Sequence, residues 1–167
     1  MDGYQTRFGA LGDFQKGGVE VIDDDPRNYV FSNVFEVAST SAAYERVAVA
    51  KNFDYVIEAA RAEGVSSWYA CAHDEFVLCM DGRIEVHLVK PADPSASPAP
   101  GSLGAHQLDA PPDGRKMGRL VLERGHLGLL PKGAAYRFQA DAPAAMMIQT
   151  QAGPVTVQKW AEICQTR

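Results

Sequence analysis

Basic clusters, long apolar runs and paired cysteines are all missing from this chain. With 16 Lys and Arg scattered among 21 Asp and Glu, for a formal net charge of −5, it lacks the electrostatic footprint that nucleic acid requires. No stretch approaches the roughly 18 apolar residues of a spanning helix. The opening MDGYQTRFGALGDF has neither the basic flank nor the apolar run of a signal peptide, so the expectation is a cytoplasmic protein with no membrane partner. The three cysteines, Cys71, Cys79 and Cys164, are an odd set without zinc-finger spacing, and two fall in strand-like runs, as buried thiols of a reducing compartment do. What is present is apolar content, 46% of 167 residues, enough for one domain to fill a core without disulfides. The expected partner is a small molecule or another protein.

The chain divides into an extended arm over residues 1–28 and one all-β domain over 29–167. The arm mixes glycines, isolated aromatics and the run Asp23-Asp24-Asp25 before Pro26, and stays ordered only if laid against something. Thr40 to Ala62 has a helical composition, but Val47/Val49 and Tyr55/Ile57 alternate as in strands, and two strands across Asn52 are the preferred reading. Asp81-Gly82 between two β-rich runs predicts a type I′ hairpin pairing Cys79 with Ile84, Val77 with Val86 and Glu75 with Leu88. Those six share one face, and Phe76, Leu78 and Met80 share the other with Arg83, Glu85 and His87. Residues 91–116, rich in Pro, Ala, Gly and Ser, read as a long flexible insertion. Short strands over 119–123, 127–130, 136–139 and 146–149, then a short helix over 157–164 anchored by Trp160, complete a sandwich or barrel.

Six residues separate Glu75 from Gly82, and Gly125 is followed by Pro131-Lys132-Gly133. This pair of skeletons resembles the two motifs of the cupin jelly roll, with the metal ligands replaced. Where the first motif carries its histidine pair stand Tyr69 and Cys71, or Trp68 and Ala70. The second motif's histidine is Tyr136, and its later position is Ala140. Glu75 alone survives, and one carboxylate cannot hold a metal that needs three or four converging donors. None of His73, His87, His106 and His126 falls in register to replace a ligand, so surface or hydrogen-bonded roles are expected of them. Cys71 and His73 share a strand face at about 6–7 Å, too far for a direct hydrogen bond, so Cys71 is expected to be a buried structural thiol. Trp68 and Tyr69 either plug the barrel or project from its mouth, while Tyr136 and Phe138 fill the cavity.

The run FSNVFEVASTSAAYERVAVAKNFDYVIEAARAEGVSSWYACAHDEFVLCMDGRIEVHLVK, with RGHLGLLPKGAAYRF, resembles the small (α) subunit of the two-component hydroquinone 1,2-dioxygenases. The resemblance implies a single cupin-type jelly-roll barrel with no cofactor of its own, in a hetero-oligomer whose large cupin subunit holds Fe(II). The implied reaction is O2-dependent opening of hydroquinone to 4-hydroxymuconic semialdehyde. It also implies that Trp68 is contributed to the partner's substrate pocket, and it accounts for an apolar face at Phe76, Leu78 and Met80 as an interface. Two other classes remain open. A metal-free cupin isomerase or epimerase would need a base and an acid, for which Glu75 and Tyr136 are the candidates. A stand-alone small-molecule-binding or regulatory cupin would need neither.

Overall fold

Strand-forming runs punctuated by Gly, Pro and Asp fold, among the described residues, into ten strands and two short α-helices. The computed structural model describes residues 9–15, 17, 21–25 and 32–163. The strands are β1 (Arg46–Asn52), β2 (Tyr55–Val65), β3 (Tyr69–Cys71), β4 (Glu75–Asp81), β5 (Arg83–Pro91), β6 (Ala105–Gln107), β7 (Gly114–Glu123), β8 (Leu127–Leu130), β9 (Ala135–Gln151) and β10 (Thr156–Val157). The helices are α1 (Val34–Thr40) and α2 (Trp160–Ile163).

The 17-residue strand β9 organises the barrel. Its C-terminal half lies between β2 and β4, with Ile148 facing Glu58 on one side and Val77 on the other. Its N-terminal half lies between β3 and β5, with Tyr136 facing Tyr69 and Leu88. The segments β2–β3 and β4–β5 are therefore two continuous tracks laid along one bent strand. Beyond them, β1, β10 and β8 extend one sheet, and β6 and β7 extend the other. The tracks turn from sheet to sheet where the register shifts, between Ala62 and Gly64 and between Cys79 and Asp81. An extra residue bends a strand and increases its twist, and these bends close the sheets around one core as a cupin jelly roll.

The hairpin expected at Asp81-Gly82 does not form. Cys79 faces Met146, Val77 faces Ile148, and Glu75 faces Leu130, while Ile84, Val86 and Leu88 face Leu122, Phe138 and Tyr136. A glycine at positive φ, 78° at Gly82, serves a type I′ turn and a strand bend equally well. The face assignment survives the change of register. Glu75, Val77, Cys79, Ile84, Val86 and Leu88 all point inward and are buried.

The two strands across Asn52 are present, joined by Phe53 and Asp54. The expected strands 136–139 and 146–149 are the two ends of β9. Segment 91–116 contains a 3-10 turn at Pro94–Ala96, strand β6 on β3, and the start of β7 on β5. Its composition limits side-chain burial, but ladder pairing needs only backbone groups.

Helix α1, unanticipated in the sequence, starts at Asn33, whose side chain accepts the Phe35 and Glu36 N–H groups at 3.0 and 3.2 Å. At seven residues it depends on packing, and Val37 joins Val47 and Ala59 in a small cluster outside the barrel. Residues 11–15 of the arm are laid against this side of the molecule. Leu11 donates its N–H to Asp81 Oδ2 at 2.7 Å, Asn33 Nδ2 donates to Gln15 O at 2.8 Å, and Phe14 stacks on Phe35. The rest of the arm and Cys164 lie outside the described residues.

A methyl group at Gly82 would sit 2.7 Å from Ala144 Cβ and 3.1 Å from its Cα, whereas Gly64, also at positive φ, has open space around it. Gly64→Ala therefore bears only the left-handed penalty, about 1 kcal/mol, while Gly82→Ala adds overpacking and loses about 2–4 kcal/mol. Thermal or denaturant unfolding of the two variants should rank them in that order.

Candidate functional site: a guanidinium inside the barrel

Strand β1 sends Arg46 inward, and β2 sends in Val56, Glu58, Ala60 and Ala62 on alternate positions. Glu58 is thus an acid on an otherwise apolar face, and Arg46 is buried with it. The guanidinium donates from Nε to Glu58 Oε2 at 2.5 Å, from Nη2 to Glu75 Oε1 at 2.7 Å and from Nη1 to Tyr136 Oη at 3.0 Å. Tyr136 donates its hydroxyl proton to Glu75 Oε2. Thr156 donates to the second Glu58 oxygen at 2.6 Å. The Arg46 charge also lies 5.7 Å from the centroid of the Tyr69 ring, within cation–π range.

Burial alone would push the Glu75 carboxyl upward, but the Arg46 charge and hydrogen bonds from Tyr136, Arg46 and Thr150 hold it below the ordinary carboxylate range. Burial would also disfavour the Arg46 cation, and the surrounding Tyr136, Glu75 and Glu58 outweigh that and keep it charged. Burial raises the Tyr136 phenol well above its usual value, against the pull of Arg46 and with Glu75 adding to the rise. The cluster is therefore a fixed cation, an ionised carboxylate and a phenol that keeps its proton.

All five replaced or surviving motif positions, Tyr69, Cys71, Glu75, Tyr136 and Ala140, are buried. Tyr69 plugs the barrel, its ring 5.8 Å from Tyr136, while Phe138 lies 5.4 Å from Tyr136 and stacks on Tyr44. These residues do not fit an iron site. Both Glu75 oxygens are occupied by Arg46 and Tyr136, and the Cys71 thiol is pushed up to about 12, chiefly by burial. Among the described residues, no three His, Cys, Asp or Glu side chains are placed to hold a metal ion.

Cys71 and His73 are closer than the roughly 6–7 Å of strand spacing and do meet directly. Their Sγ and Nε2 atoms are 3.1 Å apart, because β3 ends at Cys71 and the chain bends over Ala72 and His73. Nε2 accepts the Gly104 N–H at 3.2 Å, which leaves Nδ1 to donate to Asp74 O at 2.9 Å. Cys71 lies 3.1 Å from Gly104 O. The His73 imidazole and the Cys71 thiol, whose pKa burial raises strongly, pin the 71–74 bend to residue 104 as a structural contact. His87 is on the outer face beside Glu85, and His126 Nδ1 accepts the Glu123 N–H.

Trp68 precedes β3, alternates with the buried Tyr69, and is half-buried with the Arg137 guanidinium over its ring. On the other sheet, Phe76 faces Leu129 and Leu78 faces Leu127 across the β4–β8 ladder. Phe76, Leu127 and Leu129 are 40%, 62% and 45% exposed, and Leu78 and Met80 are partly covered. Arg46 and Glu58 went unnoticed in the sequence. The signal available for Glu58 was an acid in phase with Val56, Ala60 and Ala62, which demands a buried cation.

No family model matches the chain, and no curated protein does. Solved structures do. The chain is 67% identical to a chain in the crystal structure of hydroquinone 1,2-dioxygenase from Sphingomonas sp. TTNP3 with 4-hydroxybenzoate bound, with 99% of each chain covered and a TM-score of 0.94. It is 45% identical to a chain of hydroquinone 1,2-dioxygenase PnpCD in complex with Cd2+ and 4-hydroxybenzonitrile, again with 99% of each covered and a TM-score of 0.90. A second kind of match, to PnpCD in complex with Fe3+, covers 84% of this chain but 38% of the other, at 11% identity and a TM-score of 0.64. That match shows a shared fold alone.

Glu75→Gln should lose about 3–5 kcal/mol at neutral pH, the usual consequence of breaking a buried charge pair from one side. Because the folded-state pKa of Glu75 is lowered from 4.5, its contribution is full above that value and disappears as pH falls through the folded-state value. The stability gap between wild type and Glu75→Gln should therefore narrow on acidification below about pH 4.5, as read from urea unfolding across a pH series.

Proposed function

The chain belongs to the hydroquinone 1,2-dioxygenase family, and we propose that it is the small, iron-free subunit of such an enzyme. The observation that carries this reading is the buried Arg46, which neutralises the one carboxylate left from a metal-ligand set. A barrel whose centre holds a permanent organic cation has no exchangeable coordination position to offer O2 or a phenol. The relatives' chain lengths support a larger partner. One chain in the PnpCD structures matches this one end to end, and another has this fold over little more than a third of its length. In this reading the larger cupin subunit holds Fe(II), and the complex opens hydroquinone with O2 to 4-hydroxymuconic semialdehyde.

Two surfaces of this chain then have work to do. The Phe76, Leu78 and Met80 face, continued by Leu127 and Leu129, buries itself against another subunit, with about 1.5–3 kcal/mol available for each large side chain fully covered. Trp68, outside the barrel at the entry to β3, closes one wall of the partner's aromatic pocket, adding about 0.5–1.5 kcal/mol of ring contact beyond burial. An isomerase or epimerase is less well supported. Its candidate acid and base, Tyr136 and Glu75, are buried and spent on Arg46 and on each other.

The reading is tested by expressing this chain with and without the larger subunit. Iron and oxygen uptake with hydroquinone should appear only in the co-expressed complex, and near-stoichiometric iron retained by this chain alone would overturn it. Leu78→Asp should shift the complex to separate subunits on size-exclusion chromatography. Trp68→Ala should leave assembly and iron content intact and lower kcat/KM by roughly an order of magnitude.

A further inference from the structure

Among the described residues Arg137 is a cation with no counter-ion. It lies on β9 between the inward-pointing Tyr136 and Phe138, which sends its side chain to the outer face beside His87. The carboxylate on that face, Glu85, already pairs with Arg83 and Arg119 and lies 3.3 Å from His87 Nε2. Among the described residues no ion pair includes Arg137, and its Nε is buried without a hydrogen-bond partner. What it does contact is Trp68, with Cζ 5.1 Å from the centroid of the indole. The Trp68 backbone is fixed independently, its carbonyl accepting the Leu108 N–H at 2.8 Å. A half-buried indole with a pinned backbone and a guanidinium on its ring has its remaining side-chain freedom removed by that guanidinium.

We propose that Arg137 is a positioning residue of the dioxygenase reaction, holding the Trp68 indole at the angle at which it meets the aromatic substrate. The inference rests on the pocket-wall reading of Trp68 given above. Arg137 touches neither substrate nor iron; it acts through the indole. Two features favour this over a purely structural role. The cation–π contact fixes ring orientation, which matters to a flat substrate, and among the described residues no ion pair accounts for the place of the Arg137 guanidinium beside the indole. A positioned aromatic wall affects binding of the ring more than the chemical step, so the signature is in KM rather than kcat.

The test is steady-state oxygen uptake with hydroquinone on the co-expressed complex, with assembly checked by size-exclusion chromatography. Arg137→Gln should raise KM about three- to tenfold with kcat changed by less than about twofold. Arg137→Lys, which keeps the cation and loses the planar stack, should fall between Gln and wild type. In a Trp68→Ala background, Arg137→Gln should add nothing, because the group it positions is gone. Wild-type KM in Arg137→Gln alongside an impaired Trp68→Ala overturns the positioning role and leaves the Trp68 reading standing. So does a full Arg137→Gln effect that persists without the indole, or an Arg137→Gln chain that fails to assemble while Trp68→Ala assembles. Unchanged kinetics in Trp68→Ala itself overturns both.

Discussion

Everything inside this barrel is arranged around the charge on Arg46. A guanidinium removed from water costs several kcal/mol unless its donors are met, and here three of its nitrogens are met by Glu58, Tyr136 and Glu75. Those partners come from β2, β9 and β4, so the cation ties together strands far apart in sequence. A metal ion in a related barrel would perform the same cross-linking through its ligands. A guanidinium differs from a metal ion in that it neither releases a ligand nor changes valence.

The aromatic packing follows from that choice. Tyr69, Tyr136 and Phe138 fill the space that a ligand and its waters would need. Tyr136 is both filler and hydrogen-bond partner, which is the way a buried tyrosine normally satisfies its hydroxyl. With the interior filled, the remaining large apolar and aromatic side chains lie on the outside. There, one sheet presents leucines and a phenylalanine, and the other presents an indole and cationic side chains.

Much of this was legible in the sequence, and the failures have physical causes. Strand alternation placed Glu75, Val77 and Cys79 inside and Phe76, Leu78 and Met80 outside, and the motif skeleton placed Tyr69, Cys71, Tyr136 and Ala140 around one centre. Alternation does not reveal partners, so a left-handed glycine at position 82 suited a hairpin as well as the bend that occurs. Cys71 and His73 meet because the strand stops between them, and ideal strand geometry extended past its end gave the wrong distance. Arg46 was hidden for a different reason. A charged residue at the start of a strand usually points to water, and only the carboxylates it finds in three dimensions bring it inside. Helix α1 is set by one asparagine cap and by packing on β1 and β2, signals too local and too short to stand out in one sequence.

The continuity of β9 through both sheets has a consequence for how the molecule comes apart. In a sandwich of two separately built sheets, one can fray while the other persists, and amide exchange then reports units of different stability. Here each half of β9 is a central strand with neighbours on both sides, and the two halves are one unbroken backbone. Detaching either sheet strips a ladder from the strand that the other sheet also requires, and it pulls Tyr136 away from the Arg46 cluster. Local opening is thereby confined to the outer strands, β6, β7, β8 and β10, and exchange of the β9 amides requires the whole barrel to unfold as one unit.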